Sequence, residues 1–117
     1  MSNFDRALNR VVTSAPTVFG SSTLTTSPVK VTLVAATGPG KKVIKITNLH
    51  ASNLLAWTIV DKGAAAPTVN ATLGNASCGV IVGPGQSEQI VLGEQNDLYV
   101  VASAASTTMT VSSFMVG

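Results

Sequence analysis

Cysteine, aromatic rings and charge are all scarce in this chain of 117 residues, and each scarcity removes a class of function. Cys78 is the only cysteine, so no internal disulfide framework can staple the fold. Aromatics make up 4%, too few for the stacked platforms on which bases are bound. Charged residues reach 10% against about 25% in an ordinary globular domain. A nucleic-acid-binding domain clusters Lys and Arg with aromatics between them, so nucleic acid is not an expected partner. No apolar run approaches the ~18 residues of a membrane-spanning helix, and no membrane is expected either. The opening Met-Ser-Asn-Phe-Asp-Arg lacks the basic-then-apolar order of a secretory signal, so synthesis and assembly in a cytoplasm are expected. Two N-x-S/T triplets, Asn70-Ala71-Thr72 and Asn75-Ala76-Ser77, then read as loop polarity and not as glycan sites.

What is present points one way. Hydrophobic residues are 45% of the chain, the opposite of the balance that leaves a chain disordered. Val, Ile and Thr together number 35; β-branched side chains suit a pleated sheet and lose χ1 freedom in a helix. The length is that of one domain, able to bury roughly two-thirds of its unfolded surface in a single core. The net charge of +2 hides an asymmetry: residues 1–62 carry all seven basic groups and two acidic ones, while 63–117 carry three acidic groups and no basic one. Such a division favours basic-to-acidic docking between copies or onto an acidic neighbour, or is a chance placement of solvated charges.

The chain divides at about residue 27. Residues 1–27 hold both arginines, Phe4 and Phe19, and a Ser/Thr-rich stretch at 20–27. They read as an N-terminal arm or lead-in: a short helix with Phe4, Leu8 and Val11 on one face, an extended arm ended by Pro16, or a strand on the chain's own domain. An arm needs a surface to lie on. From residue 28 to 117 the period is two. Val29, Val31 and Leu33 alternate with Lys30 and Thr32; Ile44 and Ile46 with Lys45 and Thr47; Leu55, Trp57 and Ile59 form an inward row. Glu88, Ile90 and Leu92 share one face with Gln89 and Val91 opposite, and Met109, Val111 and Met115 lie opposite Phe114. Residues 63–79 form a long small-residue excursion. Seven or eight short strands with turn signals between them predict an antiparallel β-sandwich. Several strands are apolar on both faces, as at Val43-Ile44, Leu54-Leu55 and Val91-Leu92, which predicts that one face meets a neighbouring chain.

No catalytic centre is legible. Cys78 and His50, with Asp61 or Asp97 to orient the imidazole, are the only nucleophile and base on offer. Cys78 lies outside any nucleophile motif and reads as a small buried thiol. His50 and Cys78 fall short of a zinc ligand set, and Glu94-Gln95-Asn96-Asp97 has too few oxygens for a calcium loop and reads as a polar turn. Neither metal nor cofactor is expected. The two Gly-Pro-Gly corners, at 38–40 and 83–85, precede strands and not helices, so they are turns and not phosphate cradles. Lys41, Lys42 and Lys45 read as the guard of an edge strand. Trp57 is expected at the centre of the core, with a sugar-lining role as the rival reading.

The order of these signals resembles a known group. A strand ending Lys45-Ile46-Thr47-Asn48 is followed by one ending Ile59-Val60-Asp61-Lys62-Gly63, then Gly83-Pro84-Gly85-Gln86-Ser87, Asp97-Leu98-Tyr99-Val100-Val101-Ala102, and a closing Thr110-Val111 strand. Over residues 29–116 this resembles the small β-sandwich virion proteins of tailed bacteriophages, capsid decoration (cement) proteins among them. The resemblance implies a jelly-roll-like sandwich present in many copies on the outer capsid surface. It also implies a dimer or trimer that staples capsomers of the major capsid protein without any reaction. Phe4, Arg6, Leu8, Arg10 and Phe19 would then be the contacts of the adaptable arm with the capsid. The alternative is a tail, neck or fibre module that binds a host-surface glycan near Trp57 and residues 63–79.

Overall fold

The computed structural model describes residues 17–31 and 41–116. These residues are all-β, and their eight strands form two antiparallel sheets of four. In chain order the strands are β1 (Thr17–Leu24), β2 (Val29–Lys30), β3 (Lys41–Asn48), β4 (Leu55–Asp61), β5 (Val80–Val82), β6 (Ser87–Leu92), β7 (Asn96–Ala102) and β8 (Thr107–Val116). Sheet A has the order β1-β8-β3-β6 and sheet B the order β2-β7-β4-β5.

The wiring follows one idea. β1 pairs β8, β2 pairs β7, β3 pairs β6 and β4 pairs β5, the pairing of one long hairpin closed at β4–β5. Rolling that hairpin brings β3 beside β8 and β4 beside β7 and so yields two sheets. Every connection crosses between the sheets except β4 to β5. Closure of this kind leaves four edge strands, of which β2 and β5 are only two and three residues long. Short edges offer little template for unwanted pairing.

The period-two rows supply the core as expected. Ile44 and Ile46 of β3, Ile90 and Leu92 of β6, Met109 and Val111 of β8 and Leu24 of β1 face Leu55, Val82, Leu98, Val100 and Ala102 of sheet B. Ile44, Ile46, Leu55 and Leu98 are wholly buried; each such side chain contributes about 1.5–3 kcal/mol by leaving water. Gln89 and Val91 point outward on β6 while Ile90 and Leu92 point in.

Four expectations change. The sandwich begins before residue 28: Thr17–Leu24 is β1, paired along β8 from Thr17↔Ser113 to Leu24↔Thr107. The segment carries no charge, and Thr17, Val18 and Thr23 are β-branched residues that suit a sheet. The lysine-bearing strand is no edge, because β3 lies between β8 and β6 and is paired on both sides. Lys45 is exposed on the outer face of a central strand, and the edges of sheet A are the nearly uncharged β1 and β6. Trp57 is half-buried beside the core, and Leu55 holds the wholly buried place on that row. Finally, the second apolar face of sheet B needs no neighbouring chain to cover it. Ala56 and Val101 on that face are buried by Val69 and Ala71 of the 63–79 excursion, with Leu54 and Ile81 packed alongside.

One end of the sandwich is closed by a buried polar side chain. Asn48, at the end of β3, is fully buried. Its Nδ2 donates to the carbonyls of Asn53 (2.8 Å) and Val82 (3.0 Å), and its Oδ1 accepts the His50 N–H at 3.0 Å. Its backbone accepts from Gly85 and donates to the Gln86 carbonyl, so the 83–86 corner is tied to the same residue. A buried amide is tolerable only when satisfied in this way.

Candidate interaction surfaces

The chemistry-bearing side chains are spread over the fold and each is engaged locally. His50 Nδ1 accepts the backbone N–H of Ser52 at 3.0 Å and of Asn53 at 2.8 Å, so its ring lone pair caps a turn as an Asx side chain would. Cys78 Sγ donates to its neighbouring Gly79 carbonyl at 3.4 Å, in the excursion and away from the His50 turn partners. Asp97 Oδ2 accepts the Gly63 N–H at 3.0 Å and pairs with Lys30 Nζ at 3.4 Å. The Gly63 N–H and then Lys30, with Lys62 nearby, hold the Asp97 carboxyl below its ordinary 3.8, outweighing the opposing effect of burial. Asp61, the other orienting candidate, is exposed at the end of β4. The fold therefore does not gather Cys78, His50 and an aspartate into one site. Among the described residues no three of His, Cys, Asp and Glu group as metal ligands, and no helix is long and apolar enough to cross a membrane.

Trp57 and the 63–79 excursion, which a sugar site would have to join, lie on opposite sides of β4. Trp57 shares the inward row with Leu55 and Ile59, whereas Ala56 between them faces the excursion. The indole Nε1 is buried and has no hydrogen-bond partner among the described residues.

Of the arm contacts, Phe4, Arg6, Leu8 and Arg10 lie outside the described residues. Phe19 lies on β1, inside the interval between Val18 and Ser21 where the register with β8 shifts. It belongs to the margin of sheet A and not to a segment detached from it.

Three surfaces are left. The outer face of sheet A aligns Thr110, Thr47 and Ser87 in one row across β8, β3 and β6, with Thr47 Oγ1 and Ser87 Oγ 2.8 Å apart. Lys45 stands in the next row between Ser112 and Gln89. Cross-strand hydroxyl pairs support a sheet facing water. At the end away from Asn48, a cleft of about 160 Å³ opens between the sheets, with Leu92, Leu98 and Val31 below and Lys30, Lys42, Asn96 and Asp97 around it.

The third surface is the tip of the excursion. Residues 72–75 make a tight turn closed by the Asn75 N–H to the Thr72 carbonyl at 3.1 Å, with Gly74 at φ 79°. A positive φ at the third position is that of a type II turn, which glycine adopts without strain. Two asparagines brace it. Asn70 Oδ1 accepts the Thr72 N–H and Asn70 Nδ2 donates to Asn75 Oδ1, which also accepts the Ser77 N–H. Leu73 sits at the tip with 70% of its surface exposed, the most of any large hydrophobic residue among those described. Sequence reasoning passed over both Leu73 and the buried Asn48. The Asn-x-Thr-Leu-Gly-Asn spacing was the available signal for the turn; for Asn48 the nearby His50 and Asn53 mark only a polar loop, and the Val82 carbonyl and 83–86 corner that bury it lie more than thirty residues along the chain.

Geometry defines the class as a two-sheet β-sandwich, and sequence relationships add nothing to it. No family model, no curated protein and no solved structure matches the chain.

Proposed function

We propose that the chain is a non-enzymatic structural protein of the tailed-bacteriophage virion. It acts as a decoration protein that sits on the outer capsid surface, contacts the major capsid protein and associates with its own copies as a dimer or trimer. The observation that carries this reading is the wiring. A hairpin rolled so that β1 and β8, β2 and β7, β3 and β6 remain paired is read here as a jelly roll, the architecture that the resemblance to these virion proteins implies. The local engagement of His50, Cys78 and Asp97 in turns and strand ends is in keeping with a protein whose resource is area and not chemistry. β1 is an edge strand at the margin of sheet A. Ahead of it in the chain, Phe4, Arg6, Leu8 and Arg10 are the proposed capsid contacts, Arg6 and Arg10 pairing with carboxylates and the apolar pair entering pockets. Phe19 contributes from the sheet margin.

The test is the number of copies per purified virus particle, measured by quantitative mass spectrometry against the major capsid protein. Tens to hundreds, in a simple ratio to the capsid subunit, is the expected result. About a dozen or fewer, the count of a ring at one vertex, moves the protein to the neck, tail or fibre. Absence from particles overturns the virion reading.

A further inference from the structure

We propose that the tip of the 63–79 excursion is a self-association surface, with Leu73 packing against the same turn of a second copy across a two-fold axis. This deepens the reading of the chain as a self-associating structural protein and rests on it. The first ground is charge. Residues 63–87 contain no Lys, Arg, Asp or Glu, a run of 25 that includes the whole excursion, whereas Lys45 stands on sheet A and Lys30, Lys42, Lys62, Asp61 and Asp97 stand around the cleft end. A two-fold contact sets each residue near its own copy, so any charge close to the axis meets a like charge. A neutral patch escapes that penalty, and interface centres are depleted of charge.

Rigidity is the second ground. An exposed leucine on a mobile loop would lose conformational freedom on binding. This one is already held by the Thr72–Asn75 turn and by the three side-chain bonds of Asn70 and Asn75, so little remains to be ordered. The exposed residues beside it in the turn, Thr72, Gly74 and Ala76, have few or no rotamers to lose. The third ground is position. Val69 and Ala71 fasten the inner side of the excursion to sheet B, so the tip is presented from a fixed base, and exposure of a large apolar side chain there has no folding role.

The experiment is sedimentation velocity on the full chain over a concentration series, with three variants. Wild type is expected to dimerise. Leu73→Asp, which alters a side chain the fold does not use, should weaken the dimer roughly 30-fold or more, as loss of an interface anchor does, with an unchanged melting temperature. Val91→Asp, on the exposed outer face of sheet A, should dimerise like wild type. In a Cys78→Ser background, Leu73→Cys should form a disulfide-linked dimer on mild oxidation. A wild type that stays monomeric, a trimer, a dimer indifferent to Leu73→Asp, or no cross-link through position 73 each overturns the proposal. Copy number on particles is read separately, so failure of the virion assignment and failure of this contact are distinguishable.

Discussion

The two outer faces of the sandwich solve the same problem differently. Sheet B carries small apolar residues outward, Ala56 and Val101, and the chain folds its own 63–79 excursion over them. Sheet A carries hydroxyls outward with Lys45 among them, and its Val91 is 59% exposed. Apolar residues on both faces of a strand are therefore no sufficient sign of a partner chain, because a long loop can do the partner's work. The surface open to association on the sheet B side is the outside of that loop, one layer further out than the strands themselves.

The sharpest way to break this comparison is to place the same charge on each face. Val101→Lys puts an ammonium between sheet B and the excursion, where it has no carboxylate partner, and should cost about 4 kcal/mol or more. Val91→Lys on sheet A should change stability by no more than about 0.5 kcal/mol. Urea denaturation of the two variants measures both; a cost below about 1 kcal/mol for Val101→Lys would show that the excursion is not a fixed cover. Next in size is Gly79→Ala. A Cβ there would lie 2.7 Å from the Trp57 carbonyl oxygen, 3.0 Å from Val69 and 3.2 Å from Ala56. Backbone on one side leaves no flexible neighbour to yield, so the cover must lift or shift, at about 1–3 kcal/mol. Amide exchange in residues 64–79 should rise before that of β3 and β8 does.

A smaller effect tests the margin of sheet A. Removing residues 1–16 should leave the melting temperature unchanged and, on the virion reading, weaken capsid attachment. Removing residues 1–20 also deletes the Thr17↔Ser113 and Val18↔Ser112 pairs of β1 and should cost about 1 kcal/mol at the scale of cross-strand pairs. Equal stability of the two truncations would place the start of the sheet after residue 20.

Much of the fold was legible because half-buried strands announce themselves with a period of two. The rows Ile44/Ile46, Ile90/Leu92 and Met109/Val111 landed inside, and residues 28–116, where seven or eight strands were expected, hold seven, the eighth strand being β1 ahead of them. Strand order was not legible, because alternation fixes a face and says nothing about the neighbour. That is why the lysines of β3 suggested an edge when the strand is central. Which of helix, arm and strand residues 17–24 form was not legible, because Gly20-Ser21-Ser22-Thr23 gives no apolar alternation; the pairing with β8 supplies what that sequence does not. Functional surfaces were least legible. Leu73 looks like any leucine until the turn beneath it is known to be braced, and the burial of Ala56 cannot be anticipated without knowing where a loop of small residues comes to rest.

The finest probe of the cover is proton uptake at its first residue. Asp97 Oδ2 holds the Gly63 N–H, so it fastens the point where the chain leaves β4 to cross sheet B. The carboxyl is held below 3.8 by that bond first and by Lys30 second, and a group whose folded value is depressed binds its proton more readily in the unfolded chain. Its contribution to stability is therefore complete above about pH 4 and fades as pH falls through the lower folded value. Asp97→Asn keeps an oxygen for Gly63 but cannot pair with Lys30. The variant should melt slightly below wild type at pH 7, and the gap should close as pH is lowered past 4, with local exchange at residues 63–66 showing the change first. A gap that persists unchanged to pH 2 would mean that the Asp97 charge does not fasten the excursion, and that Val69 and Ala71 hold it by packing alone.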